Sequence, residues 1–237
     1  MILVNGLNKI LTNCGAELVR FPNNELKRRL AFINHYQINK VLDVGANVGK
    51  YATTLRKIGF NGDIISFEPL SKTFIELNGH SKTDSKWQAL NIALGDYDGE
   101  AEINIAGNVD SSSILDMLPA HLNSAPESQY IGKEKITVKT LDSIYKGICN
   151  EDDQVYMKID TQGFEKQVLD GASSSLNKIK GLQIEMSIVP LYKGSLTYLE
   201  MIAYLKQKGF EIHSIEPGFT DALSGKLLQF DGVFLKP

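Results

Sequence analysis

Long hydrophobic runs are missing from this chain. No window of its 237 residues approaches the ~20 apolar residues that a membrane-spanning helix needs. The apolar start Met1-Ile2-Leu3-Val4 is interrupted at Asn5 and Asn8, too soon for a secretory signal. Cysteine is scarce too. Cys14 and Cys149 lie far apart in no CxxC or Cys/His spacing, which argues against a thiolate metal site and makes a reducing compartment the default. Neither sign of charge dominates: 25 Lys and Arg stand against 28 Asp and Glu, a formal net charge of −3. Such a balance gives no global attraction for nucleic acid or an anionic membrane, although a local basic patch stays open. The densest basic run, Lys27-Arg28-Arg29, shares a helical pattern with Leu26, Leu30 and Ile33 and reads as a solvated helix face. The expectation is a cytoplasmic protein with no membrane span and no nucleic-acid partner.

What is present is ordinary globular composition, 43% hydrophobic and 22% charged. The length suits one α/β domain. Residues 1–37 read as a helical extension broken at Phe21-Pro22-Asn23-Asn24, with Asn23 or Asn24 as the cap of a second helix. Residues 38–237 read as the single α/β domain. There, strands at 41–44, 63–67, 87–93, 155–160 and 182–186 alternate with helices at 48–58, 70–77, 164–176 and 197–208. Strands at 210–215 and 227–235 follow with no helix between them, which predicts an antiparallel pair at one edge. Alternation of this kind implies a mostly parallel sheet with helices on both faces. The rhythm pauses after a solvent-facing strand at 100–106, and residues 107–133 read as one long loop, functional or mobile.

The sharpest motif is Asp43-Val44-Gly45-Ala46-Asn47-Val48-Gly49-Lys50-Tyr51, set between a strand and a helix. Glycines there permit tight backbone angles and close approach of a ligand, and the helix start offers free N–H groups. The spacing is G-x-N-x-G, not the G-x-G-x-x-G of dinucleotide binders. Glu68 closes the second strand, where a carboxylate can accept both hydroxyl protons of an adenosine ribose. Gly45 and Gly49 alone would equally serve a tight turn; with Glu68 in this order they point to a nucleoside cofactor.

Four segments together, Asp43–Tyr51, Phe67-Glu68-Pro69, Asn91–Asp96 and Lys158-Ile159-Asp160-Thr161-Gln162-Gly163-Phe164-Glu165, resemble the FkbM-type methyltransferases. The likeness runs from about residue 24 to the C-terminus, and the K-I-D-x-x-G-x-E run is its most specific part. It implies a class I methyltransferase fold, Rossmann-like, with a seven-stranded sheet whose last strand is antiparallel. It also implies S-adenosylmethionine as donor and O-methylation of a sugar, glycan or other small hydroxylated acceptor. Carried over by position, Gly45, Asn47 and Gly49 would wrap the methionine end, with Asp43 and Tyr51 of the same motif beside them. Glu68 would hold the ribose, and Ala93 and Leu94 would lie beside the adenine. Asp96 either joins them or opens the turn Asp96–Gly99, and Ser112, within Ser111–Ser113, either donates to the ligand or is a solvated loop residue.

Methyl transfer to a hydroxyl requires alignment, exclusion of water and removal of one proton. Asp160, ending the fourth core strand, is the leading candidate base; as an alternative it caps the next helix. Lys158 shares its strand face and reads as an ion-pair partner. Glu165 is either catalytic or a helix-start carboxylate. Glu185, an acid within an apolar strand, needs a partner or ligand. A metal shared by Asp160 and Glu185 would need a third ligand that the sequence does not offer, so no metal is assigned. His213 reads as structural, His121 lies in the long loop, and Tyr192-Lys193-Gly194 are expected to border the acceptor. A nicotinamide oxidoreductase and a non-catalytic cofactor-binding module are the rival readings.

Overall fold

The computed structural model describes residues 11–16, 18 and 21–236. The helical reading of residues 1–10 lies outside the described residues. Helix α1 (Asn24–His35) opens where the Asn23 side chain accepts the Leu26 N–H at 2.8 Å. That bond satisfies one of the donors a helix start leaves free. Then β1 (Lys40–Val44), α2 (Lys50–Lys57), β2 (Asp63–Phe67), α3 (Ser71–Ser81) and β3 (Trp87–Leu90) alternate. Next come β4 (Ala93–Leu94), β5 (Gly99–Ala106), α4 (Pro119–Ser124), β6 (Tyr130–Lys139) and α5 (Leu141–Ile148). The chain ends with β7 (Val155–Ile159), α6 (Glu165–Asp170), β8 (Ile179–Ser187), α7 (Tyr198–Gln207), β9 (Glu211–Pro217) and β10 (Gln229–Leu235).

Seven strands form the main sheet in the order β3-β2-β1-β7-β8-β10-β9. The pairs from β3 to β8 are parallel, and β10 runs antiparallel between β8 and β9. This is the expected α/β architecture, with its antiparallel last strand. Successive strands are added on one side from β1 to β3 and on the other from β7 onward. A crevice therefore opens beyond the carboxyl ends of β1 and β7, the place where open α/β sheets bind ligands.

Neighbouring residues of a strand face opposite sides, so each strand feeds two cores. Leu42, Met157 and Leu182 pack with Leu141, Val168 and Leu205 from α5, α6 and α7. Val41, Ile64, Tyr156 and Val233 pack with Phe32, Leu55 and Leu77 from α1, α2 and α3. Helix α1, assigned above to the extension, is thus part of the second core.

Three expectations are corrected. The third strand does not run on to Ala93. Asn91 Nδ2 donates to the carbonyls of Glu68 and Pro69, each at 2.9 Å, and turns the chain out of the main sheet. Ala93–Leu94 joins a separate three-stranded sheet, β4-β6-β5. Residues 107–133 are not one loop either: they contain α4, and β6 starts at Tyr130, where it supplies the partner β5 requires. Finally, the helix expected through residue 176 stops at Asp170. Gly171 lies so close to the Gly95 carbonyl that a Cβ would come within 1.8 Å of the oxygen.

Candidate active site

At the mouth of the crevice, β1 and β7 end side by side, Val44 opposite Ile159. The Asp160 N–H donates to the Val44 carbonyl at 3.1 Å. Gly45 follows with φ of +73°, and a Cβ there would stand 1.9 Å from the Asp160 carbonyl oxygen. Only glycine fits, so the two strand ends can meet. Asn47 also adopts positive φ and ties three segments together. Its N–H donates to Glu68 Oε2 at 2.9 Å, its Oδ1 accepts the Val48 N–H at 2.6 Å, and its Nδ2 donates to Asp110 Oδ1 at 2.6 Å.

A cavity of about 520 Å³ lies over these ends. The half nearer the ends of β1 and β2 is lined by Gly45, Asn47, Glu68, Ala93, Leu94 and Phe164, with Val109, Asp110, Ser112 and Ile114. Glu68 is buried, and its Oε1 accepts the Leu70 N–H at 2.9 Å. Burial pushes its carboxyl up to about 7 against these two backbone donors. The other half is lined by Arg29, Tyr51, Asp160, Gln183, Glu185 and Asp231.

Asp160 sits between the halves. Lys158 Nζ is 3.2 Å from its Oδ2 and 3.7 Å from Asp43 Oδ1, and donates to the Gly45 carbonyl at 3.2 Å. The same-face spacing therefore delivers the ion pair read from the sequence. Burial alone would lower the Lys158 ammonium, but Asp160 and Asp43 hold it above its ordinary value, and it stays charged. Glu185 Oε2 accepts two amides, Gln162 Nε2 at 2.7 Å and Gln229 Nε2 at 2.8 Å. Burial, then the charges of Asp160 and Asp231, push its carboxyl well above the usual range. Asp231 is the cross-strand neighbour of both Glu185 and Glu216. Burial, then Asp160, push it up to about 6.

Several residues stand elsewhere than expected. Glu165 does not line the cavity: its Oε1 accepts the N–H groups of Thr161 and Gly163, each at 3.0 Å, and the Thr161 hydroxyl at 3.2 Å. It clamps the loop that carries Asp160. Gly49 faces the core, where a Cβ would meet the Trp87 ring at 2.7 Å, so its glycine serves packing. Asp43 is fully buried and outside the lining, opposed by Lys158 and accepting the Ser66 hydroxyl at 3.3 Å. Asp96 is also outside it. Ser112 lines the cavity with its Oγ accepting the Ala106 N–H at 3.0 Å. His213 packs near Phe32, and His121 stacks beside Tyr192 and Phe219, both away from the cavity.

Sequence reading missed Arg29, Gln162, Gln183 and Asp231. Arg29 is not on a solvated face: its guanidinium lies 5.0 Å over the Tyr51 ring and donates to Glu216 Oε2 at 2.6 Å. Asp231 was detectable, because it is an acid in an apolar strand just as Glu185 is.

The residues of the first half fit an S-adenosyl group. The Gly45 cradle leaves no room for a side chain, Glu68 keeps lone pairs for ribose hydroxyls, and Ala93, Leu94 and Ile103 form an apolar wall for a nucleobase. Sheet order and cavity together define a class I S-adenosylmethionine-dependent methyltransferase. More particularly, the signature of the methyltransferase FkbM domain matches residues 43–212, and the chain belongs to that family. S-adenosylmethionine is accordingly its cofactor, and the nicotinamide reading is displaced. A relative, the 2-O-methyltransferase NoeI of Sinorhizobium fredii (strain NBRC 101917 / NGR234), is 23% identical over 190 residues, covering 76% of this chain and 77% of its own. Among solved structures, an uncharacterized protein from Listeria monocytogenes serotype 4b matches with TM-score 0.51 and 10% identity, over 91% of this chain and 68% of that one. A putative RNA methyltransferase from Pyrococcus horikoshii matches with TM-score 0.47 and 13% identity, over 93% of this chain and 87% of that one. Fold does not choose the acceptor, and the expected exclusion of nucleic acid gains nothing from these likenesses. No helix among the described residues is long and apolar enough to cross a membrane.

Proposed function

We propose that the protein methylates a hydroxyl of a sugar, glycan or other small hydroxylated metabolite, with Asp160 as general base. The observation that carries this reading is the position of Asp160. By sheet order β7, which ends beside Asp160, lies between β1, which leads to the Gly45 cradle, and β8, which carries Gln183 and Glu185, and all four residues line the cavity. Carboxyl and amide groups of that kind suit the hydroxyls of a polyol, which favours a small or glycan acceptor. Likeness to a 2-O-methyltransferase supports oxygen as the methylated atom. The free thiols of Cys14 and Cys149 suit the cytoplasm.

When bound, S-adenosylmethionine supplies a methyl group activated by its positive sulfur. Gly45 and Asn47 would hold its methionine end, Glu68 its ribose, and Ala93 and Leu94 its base. Lys158 keeps a positive charge 3.2 Å from Asp160 Oδ2 and so fixes the side chain of the base. As the acceptor oxygen takes the methyl, its proton passes to Asp160 and then to solvent. The loop 109–114 excludes water from the transfer.

Methyl-labelled S-adenosylmethionine, offered with a panel of methyl glycosides, tests the reading. Asp160→Asn is expected to lose ~10²-fold or more in turnover while binding the cofactor with little change. Turnover surviving in that variant would remove Asp160 as base. Cofactor binding with no transfer to any hydroxyl would favour the non-catalytic module.

A further inference from the structure

Gln162 is one of four non-glycine residues with positive φ among the described residues, and Asn47 and Val109, which line the same cavity, are two of the others. Backbone strain of this kind persists only where its surroundings fix it, and it gathers at functional sites. The surroundings of Gln162 are unusually complete. Its Oε1 accepts the Tyr192 hydroxyl at 2.7 Å. Its Nε2 donates one hydrogen to Asp160 Oδ1 at 2.8 Å and the other to Glu185 Oε2 at 2.7 Å. Both donors and an acceptor of the amide are thereby used. The main chain is held as well, because the Ser113 hydroxyl donates to the Gln162 carbonyl at 2.7 Å. Tyr192 is fully buried, and a Cβ at Gly163 would come within 2.7 Å of it, so phenol and loop are packed without slack.

The chemistry of the amide explains this investment of contacts. Asp160 and Glu185 face one cavity, and the Gln162 nitrogen lies between them and donates to each. The Tyr192 hydroxyl, whose other acceptor within reach is the Ser111 carbonyl at 3.2 Å, supports this orientation of the amide, and a flip would turn the amide oxygen toward Asp160. We infer that Gln162 is a positioning residue for methyl transfer: its amide, oriented by Tyr192, holds Asp160 and Glu185 in register for a single acceptor hydroxyl. The inference rests on Asp160 being the base.

Two measurements test it. In the labelled-methyl assay with methyl glycosides, Gln162→Leu is expected to lower kcat by ~10²-fold. KM for S-adenosylmethionine should stay within about twofold, and the acidic limb of the pH–rate profile should move. Tyr192→Phe should change kcat in the same direction by less. The second measurement needs no acceptor. In 15N–1H spectra, the Gln162 side-chain signals, identified by their loss in Gln162→Leu, should exchange slowly with solvent. They should shift in both Asp160→Asn and Glu185→Gln, and exchange faster in Tyr192→Phe. Signals that exchange like a free amide, or ignore both carboxyl substitutions, overturn the proposal even if no glycoside accepts the label. Full turnover in Gln162→Leu beside a dead Asp160→Asn also overturns it and leaves the base standing. An active Asp160→Asn removes the base, and the catalytic role of Gln162 falls with it.

Discussion

Glu68 shows how a single buried carboxyl makes cofactor binding depend on pH. Its surroundings push in opposite directions: burial favours the neutral acid, while the N–H groups of Leu70 and Asn47 favour the anion, and burial prevails to place it at about 7. Ribose hydroxyls donating to the remaining lone pairs would add to the anionic side. Binding should therefore select ionised Glu68 and release a proton below neutrality. Titration calorimetry with S-adenosylmethionine is expected to give a Kd that is level above about pH 8. It should weaken toward tenfold per pH unit on the acid side of 7. Glu68→Gln should bind more weakly and lose the slope. A wild-type Kd that does not change between those conditions would show that Glu68 does not meet the ribose.

Between elements, the closest link across the cofactor half is the bond from Asn47, in the turn after β1, to Asp110, in the segment after β5. Asp110 is exposed, and its ion pair with Lys50 spans 4.0 Å, so neither contact adds much to folding. Their place gives them another effect, since Val109, Asp110, Ser112 and Ile114 all line the cavity. Asp110→Ala should leave the melting temperature nearly unchanged, yet speed dissociation of S-adenosylmethionine about fivefold, the worth of one hydrogen bond of ~1 kcal/mol. An unchanged off-rate would show that this segment does not retain the cofactor. The same pair marks what the sequence could and could not convey. That Gly45, Asn47, Glu68 and Asp160 gather at one cavity was legible because each lies in the turn just beyond a strand, where local geometry dictates residue type. Asp110, Gln162 and Arg29 matter through partners 63, 30 and 187 positions away along the chain. No local period encodes such distances. Arg29 was misread for that reason: beside Lys27 and Arg28 it has the look of surface, and its contacts with Tyr51 and Glu216 cover it. Asn91 likewise ends β3 through bonds to residues on another strand's exit, so the small sheet β4-β6-β5 could not be foreseen from alternation alone.

At the scale of the whole molecule, the cavity gathers acids that the unfolded chain would ionise more readily. Burial raises Glu68 to about 7 and Asp231 to about 6 and holds Glu185 well above its ordinary range, and outside the lining it raises Glu165 to about 7. Between the ordinary carboxyl range and these values, the folded protein keeps protons that the unfolded one has released. Its stability must then fall as pH rises through that window. His121 acts oppositely, because burial lowers it, but its effect is confined to pH below its ordinary 6.5. The ligand-free protein should therefore melt at a higher temperature near pH 6.5 than near pH 8, contrary to the behaviour of proteins whose carboxyls are held low by ion pairs. S-adenosylhomocysteine, which carries the same ribose, should stabilise more at the alkaline value, where Glu68 is already ionised, and so narrow the gap. Thermal melts at both pH values, with and without that ligand, give the four temperatures needed. Equal ligand-free melting points would mean that Glu68, Glu165, Glu185 and Asp231 do not keep their protons in the folded protein, and the pH-dependent cofactor binding argued from Glu68 would lose its physical basis.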